Sequence, residues 1–232
     1  MGRRAGPAEG FPVAANKRRH PRLLVLYRRY LDDQDSTGFV RRLSKRYTVG
    51  TLERLAEHRV RQVRRAAVLA LGHVGDYGVN QALGRALLDE DRTVRLLADN
   101  ALRAIWPRAG GETQRRRLGR IIRLNASRQF EAALQCATEL IEQAPSLAEA
   151  WNQRAIARFH LDQFSESIRD CHQALELNPY HFVAATSMGQ AYLELDNPIS
   201  ALQSFRRALR VNPDLEAVRV QVVRLARLVE GK

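Results

Sequence analysis

The sequence predicts an all-α protein built as a solenoid of stacked helical hairpins. The segments "ALELNP" at 174–179 and "ALRVNP" at 208–213 are near copies, and a weaker copy, "LIEQAP", ends at Pro145. Their closing prolines, Pro145, Pro179 and Pro213, are equally spaced along the chain. A second repetition, with a slightly shorter period, occupies the N-terminal half. Within both repetitions, apolar residues recur at the three- and four-residue spacing of amphipathic helices. A fixed repeat interval such as the one between successive prolines is typical of proteins that stack one helical unit on the next.

The composition is that of a protein with a buried core and an excess of positive charge. Of the 232 residues, 45% are apolar, and no run reaches the ~18 apolar residues of a membrane span. The early apolar runs are also too short for a secretory signal, so we expect a cytoplasmic protein. The formal charge is +13, and most of the excess precedes residue 114, where 22 basic side chains accompany 12 acidic ones.

The N-terminal half begins with a basic stretch and continues into short helices. Residues 1–20 mix Gly, Pro, Ala and basic residues without periodicity, so they are predicted to form a disordered basic tail. Apolar residues on one helical face after Pro21 predict a first helix. A second is predicted from Ser36 or Thr37 to Tyr47, and a third from Thr51 to Glu57.

Two similar segments follow. "VRRAAVLALGHVGD" begins at Val63 and "VRLLADNALRAIW" at Val94, with the helical stretch "GVNQALGRALLDED" between them. Asp91 is placed to cap the helix that Val94 continues. The pattern resembles short HEAT repeats, whose units carry an Asp, then Val-Arg, then an Ala-rich helix ending in Leu-Gly. The resemblance implies a helical HEAT-like domain over 21–106, and "PRAGGET" at 107–113 is predicted to be the linker that ends it.

The C-terminal half divides without gaps into three frames of equal length, at 114–147, 148–181 and 182–215. A proline closes each repeated segment, and small residues recur at places where antiparallel helices would touch. In the three frames, the eighth place holds Ile121, Ala155 and Gly189. The twentieth place holds Ala133, Ser167 and Ala201, and the twenty-seventh holds Leu140, Ala174 and Ala208. The pattern resembles the tetratricopeptide repeat, a helix-turn-helix unit whose period matches these frames. A capping helix is predicted over 216–230, with Val218, Val222, Leu225 and Leu228 on one face.

The resemblance to tetratricopeptide repeats implies a concave groove lined by the first helix of each hairpin. Such a groove suits a non-catalytic adaptor that binds a protein or peptide of unknown identity, with self-association left open. We expect Asn152, Thr186 and Gln190 to contribute most, since short polar groups on a groove face have little structural reason to be there. The predicted groove residues are Arg115, Glu149, Asn152, Ile156, Phe159, His160, Thr186, Gln190 and Glu194.

One specific activity of the resembled family is not expected. Chaperone-binding tetratricopeptide domains clamp a C-terminal carboxylate with Lys, Asn and Arg side chains spread across their groove helices. The corresponding places in this sequence hold Leu118, Ile122, Gln153, Val183 and Ser187. Four of these side chains are apolar or hydroxylic and none is basic, so the sequence predicts that no such clamp is present.

Two alternative functions remain. The first is nucleic-acid binding through a basic surface of the HEAT-like half, formed by Arg41, Arg42, Arg61 and Arg65. Against it, Arg64 and Arg95 recur at the repeat spacing, which suits a structural ladder with acids such as Asp91. The second is a bilin-lyase-like enzyme, by fold analogy alone. The sequence offers no nucleophile-base pair and no phosphate-binding loop, so no enzyme, cofactor or metal site is expected. Cys136 and Cys171 are interpreted as small buried apolar residues.

Overall fold

The computed structural model describes residues 22–231, which form thirteen α-helices, two short 3-10 turns and no strand. The all-α prediction is therefore confirmed, and the basic tail predicted over 1–20 lies outside the described residues. The N-terminal helices are α1 (Arg22–Asp33), α2 (Ser36–Ser44), α3 (Val49–Ala56), α4 (Arg61–Val74), α5 (Asn80–Ala86) and α6 (Arg92–Ile105). The C-terminal helices are α7 (Glu112–Ala126), α8 (Phe130–Gln143), α9 (Ala148–His160), α10 (Phe164–Leu177), α11 (Phe182–Glu194), α12 (Pro198–Val211) and α13 (Glu216–Glu230).

Small residues allow the helices of the N-terminal half to pack closely. Helices α4 and α6 lie against each other, and a Cβ placed on Gly72 of α4 would lie 2.8 Å from the Cβ of Ala101 in α6. The side chain of Asp91 accepts a hydrogen bond from the backbone N–H of Val94 at 3.1 Å, which confirms it as the cap of α6. The HEAT-like character of this half stays a prediction.

The three C-terminal hairpins, α7 with α8, α9 with α10 and α11 with α12, repeat at the level of the backbone. Each hairpin turns through one residue in the left-handed region: Arg128 at φ 58°, Asp162 at 59° and Asp196 at 51°. These residues occupy the same place in their frames. In each turn, the next residue donates its backbone N–H to the carbonyl of the residue five positions before it. The period of the sequence therefore corresponds to one repeated helical hairpin with one repeated turn.

The residues predicted at the closest helix contacts are buried. Places twenty and twenty-seven are fully buried in every frame, and in the second frame the Ser167 hydroxyl donates to the Ala155 carbonyl at 2.8 Å. In the third frame, a Cβ placed on Gly189 would lie 2.6 Å from a ring carbon of Phe205. The predicted register of the repeats thus agrees with the packing.

The two halves of the chain share an interface. Phe182, the first residue of α11, is fully buried in the core of the N-terminal half. Asn80 Nδ2 donates to Asn178 Oδ1 at 2.9 Å, and Arg95 forms two hydrogen bonds to Asp214 at 2.9 and 3.0 Å. The N-terminal half therefore packs on the turns that precede α11 and α13. Helix α7 begins within the predicted linker, and the division into two domains at 107–113 stays a prediction.

Helix α13 covers the end of the third hairpin, as expected from the capping helix. Val218 and Leu225 are buried against it, and Val222 packs on the same cluster. Leu228 was predicted on this face but is exposed, because it lies about 80° around the helix from Val218, at the edge of the inner face.

Candidate functional site

A groove runs along the first helices of the second and third hairpins. Its upper part is a depression of about 350 Å³ between α9 and α11. From α9 it is lined by Ile156, Phe159 and His160, and from α11 by Ser187, Gln190, Leu193 and Glu194. Apolar side chains form its floor, while His160, Gln190 and Glu194 are exposed at its rim.

The lower part of the groove is a depression of about 480 Å³ where the N-terminal half meets the third hairpin and α13. Helix α11 contributes Thr186, Ser187 and Gln190, and the other walls come from α6 and from the segment around the start of α13. Because Ser187 and Gln190 line both depressions, the two form one continuous surface. The α6 side chains of this surface are Arg95, Leu96, Asp99 and Arg103. We call the two depressions together the composite groove.

The charges of the composite groove are largely compensated within the protein. The carboxylate of Asp214 binds Arg95 through two hydrogen bonds and raises the pKa of that guanidinium. Arg103 donates to Asp99 at 3.0 Å, and its guanidinium carbon lies 4.7 Å from the ring centroid of Phe182. The groove therefore presents mainly apolar surface, amides and hydroxyls to a ligand, and not a strong electrostatic field of one sign.

Six of the nine predicted groove residues line the composite groove. They are Ile156, Phe159, His160, Thr186, Gln190 and Glu194. The Thr186 hydroxyl donates to the carbonyl of Phe182 at 2.9 Å, so part of its polarity is used within α11. Gln190 has no side-chain hydrogen bond among the described residues and stands at the junction of the two depressions.

The other three predicted residues line neither depression. Glu149 and Asn152 are 6% and 2% exposed, and the Glu149 carboxylate hydrogen-bonds His181 at 2.8 Å and Gln153 at 2.7 Å. Arg115 is exposed, and its Nε donates to the carbonyl of Gly110 at 2.8 Å, which closes the turn before α7. Glu149 thus joins α9 to the turn before α11, whereas among the described residues Asn152 donates only to Glu149 within α9, at 3.3 Å.

The predicted basic surface is partly neutralised. Arg65 binds Asp91 at 2.6 Å, and Arg42 lies 3.8 Å from Asp33 and 3.7 Å from Asp35, whereas Arg41 and Arg61 are exposed. The recurring Arg64 and Arg95 also bind carboxylates, as a structural ladder requires. Arg64 binds Asp89 and Glu90, and Arg95 binds Asp214.

Metal binding, cysteine chemistry and membrane insertion find little support in the described residues. Over 22–231, no three His, Cys, Asp or Glu side chains come together in a way that could hold a metal ion. Burial raises the pKa of the Cys171 thiol to about 12, and neither cysteine is in a disulfide. In the same part of the chain, no helix combines the length and apolarity needed to cross a bilayer.

Comparison with known proteins identifies the repeated hairpin. Models of the tetratricopeptide repeat match residues 148–181 and 184–215, which are the second frame and all but the first two residues of the third. The second and third hairpins are tetratricopeptide repeats. The first frame is not covered by these two matches, yet α7 and α8 form the same hairpin with the same left-handed turn.

Relatives and solved structures agree with this family. A TPR repeat-containing protein of Rhizobium etli is 27% identical over 132 residues, which is 57% of this chain and 65% of that protein. Sperm-associated antigen 1 of Rattus norvegicus is 31% identical over 88 residues, 38% of this chain and 10% of the antigen. The chain thus spans less than two thirds of these relatives. The first TPR of Spaghetti (RPAP3), solved with a bound HSP90 peptide, superimposes with a TM-score of 0.50 at 19% identity over 52% of this chain and 96% of that one.

The α6 side chains of the composite groove were missed by sequence reasoning. The tetratricopeptide pattern assigns groove positions only within its own frames. Nothing in that pattern indicates that Arg95 would reach Asp214, 119 positions away. The available signal was chemical. Arg95 stands at a repeat position together with Arg64, which predicted ion pairs with acids such as Asp91. The carboxylate that Arg95 binds is instead that of Asp214.

Proposed function

We propose that this tetratricopeptide repeat protein is a non-catalytic adaptor that binds a segment of another protein along the composite groove. The observation that carries the proposal is the continuity of the groove from Ile156 to α6 through the shared residues Ser187 and Gln190. A continuous concave surface suits an extended chain better than a compact small molecule.

The chemistry of the groove favours an extended peptide. Ile156 and Phe159 provide apolar surface in the upper depression, and Leu96 and Val183 provide it in the lower one. Between them, Gln190 carries both a hydrogen-bond donor and an acceptor, which can hold a peptide backbone group as it passes. Side chains of the ligand would then enter the two depressions on either side.

The ligand is proposed to be an internal segment and not a free C-terminus. The structural neighbour described above was solved with an HSP90 peptide, which supports peptide binding as the class of function. In this chain the places expected to hold a carboxylate clamp carry Leu118, Ile122, Gln153, Val183 and Ser187. Leu118 is fully buried, and Gln153 is bonded to Glu149 and Asn125. None of these groups supplies a positive charge to a terminal carboxylate.

A displayed library of random linear peptides tests the proposal. Peptides enriched on the wild-type protein would be measured against Ser187→Arg/Gln190→Arg, which fills the junction of the two depressions. The matched control, His172→Arg/Gln203→Arg, adds two arginines at exposed positions of α10 and α12, the second helices of their hairpins. We expect at least tenfold weaker binding by the groove variant and unchanged binding by the control. Equal binding by all three proteins, or no enrichment of any sequence, would contradict the proposal.

A further inference from the structure

The outer face of α13 is apolar, although a terminal helix of a repeat stack is expected to present a polar face to water. Val220, Val223 and Leu228 are 60%, 48% and 71% exposed. The two valines lie opposite the face that Val218 and Leu225 bury against the third hairpin, and Leu228 lies about 80° around the helix from Val220. We call these three side chains the apolar stripe. The stripe extends over about 12 Å of helix.

Arginines lie among the residues of this apolar stripe: Arg224 is one turn from both Val220 and Leu228, and Arg227 is one turn from Val223. Together with Glu216, Arg219, Arg224 and Arg227, the stripe lines a shallow depression of about 710 Å³. Arg219 binds Glu216 at 2.8 Å, whereas Arg224 and Arg227 have no acidic partner in the part of the chain that the structure describes. The face therefore combines three exposed apolar side chains with two uncompensated positive charges between them.

We propose that the outer face of α13 docks an acidic amphipathic helix of a partner protein. Apolar side chains of the partner, one helical turn apart, would cover Val220, Val223 and Leu228. Carboxylates between them would reach Arg224 and Arg227, as complementary charges do at helix-helix interfaces. A partner helix of three to four turns is long enough to cover the stripe. This surface adjoins the lower depression of the composite groove at Glu216, which lines both.

Charge and shape favour this partner over others. A second copy of the same face would bring three arginines against three, with Glu216 as the one acidic group among the lining residues. A nucleic acid would pair with the arginines but leave the apolar stripe without a function. A helix that lies on a membrane carries its arginines on the face opposite its apolar residues, whereas here Arg224 and Arg227 lie among the apolar side chains.

The test uses two designed helical peptides of four turns each and fluorescence anisotropy. One peptide carries Leu at helical i, i+3, i+4 spacing with Glu at the flanking positions; the other replaces every Glu by Lys. The protein variants are Val220→Ser/Val223→Ser and Arg224→Glu/Arg227→Glu. The control, Arg120→Glu/Arg123→Glu on α7, makes the same change in net charge at exposed arginines elsewhere. Circular dichroism would verify that all variants are folded.

We expect the acidic peptide to bind the wild type and the α7 control within twofold of each other, and each α13 variant at least tenfold more weakly. The basic peptide should not bind. Three results would overturn the proposal: no binding of the acidic peptide, an equal loss in the α7 control, or equal binding of both peptides. Binding of anionic phosphatidylserine vesicles, or concentration-dependent dimerisation in sedimentation, would also overturn it if lost in the α13 variants, since the face would then have another occupant.

Discussion

Trp106 and His181 stack face to face, with their ring centroids 4.2 Å apart and an interplanar angle of 18°. Trp106 directly follows α6 and donates from its indole N–H to Asn80 Oδ1 at 2.8 Å. His181 precedes α11; its Nδ1 accepts from the backbone N–H of Ala184, so Nε2 carries the proton that it donates to Glu149. The stacked pair thus joins the N-terminal half to the turn between the second and third repeats.

Removing this junction should destabilise the whole chain. Trp106→Ala deletes the stacked ring and leaves Asn80 short of a partner, so we expect the free energy of unfolding to fall by about 3–5 kcal/mol. Trp106→Phe keeps a ring but loses the hydrogen bond, and should cost about 1–3 kcal/mol. Urea denaturation followed by circular dichroism would measure both, with a single transition in each case because the halves share a core. A loss below about 1 kcal/mol for Trp106→Ala, or two separate transitions, would contradict this view.

Two helical glycines should respond in opposite ways to alanine. At Gly189 a new Cβ would lie 2.6 Å from the Phe205 ring, so Gly189→Ala should destabilise and Gly189→Leu should cost about 1–3 kcal/mol or more. At Gly119 the nearest atom outside the helix backbone is the end of the Arg123 side chain, 3.6 Å away. Gly119→Ala should therefore stabilise by up to about 1 kcal/mol, because alanine favours the helix. Thermal unfolding compares the two, and a stabilising Gly189→Ala would show that the register of the repeats is wrong.

Asp91 should make stability depend on acid pH. Its hydrogen bond from Arg65 and those from the amides at the start of α6 lower the pKa of this carboxyl to about 2. Because the folded pKa lies below that of the unfolded chain, the contribution is complete above about pH 4 and is lost as the pH falls towards 2. Asp91→Asn keeps a capping side chain but no charge, and should lower the free energy of unfolding at pH 7 by about 1–2 kcal/mol.

The pH dependence separates this effect from a general one. Between pH 4 and 2, the unfolding free energy of Asp91→Asn should decline less steeply than that of the wild type. Asp162→Asn is the control and should follow the wild-type curve, because Asp162 lies at an exposed hairpin turn and has no ion pair with any residue of 22–231. Parallel curves for Asp91→Asn and the wild type would refute the role of the charge.

The two cysteines should differ in reactivity. Cys171 is fully buried, and desolvation followed by the charge of Asp170 raises its pKa to about 12, so its thiol stays protonated at pH 8. Cys136 is partly exposed. Iodoacetamide at pH 8 should modify Cys136 in the native protein and Cys171 only after denaturation, as read by mass spectrometry. In Cys136→Ser, rapid native labelling would show that Cys171 is accessible and not a core residue.

The repeat pattern was sufficient to predict the hairpins, because their packing is local. The closest contacts of each hairpin, such as Ala155 with Ser167, lie within one frame, and the frames recur without gaps. The cap at Asp91 was equally local, since a side chain and an amide three residues away are enough to form it.

The sequence could not reveal where the N-terminal half lies on the repeats. Asn178 and Asn212 occupy the same place in the copied "NP" pairs, and as a pattern they indicate only a turn. In the fold, Asn178 pairs with Asn80, and Asn212 donates to Asp99 at 2.7 Å. These partners are distant in the chain and follow no period. For the same reason, a groove position at Glu149 could not be distinguished from a buried one, because the side chains that surround it are brought there by the fold.

Site-specific photo-cross-linking tests the central claim, that a protein segment lies along the composite groove. A peptide selected on the wild-type protein would be mixed with variants carrying p-benzoylphenylalanine at Gln190 or, as the control, at Gln203 on the second helix of the same hairpin. A third variant would carry it at Leu96, on the α6 wall. We predict cross-links from Gln190 and Leu96 and none from Gln203. Cross-linking from Gln203, or none from Gln190, would contradict the claim.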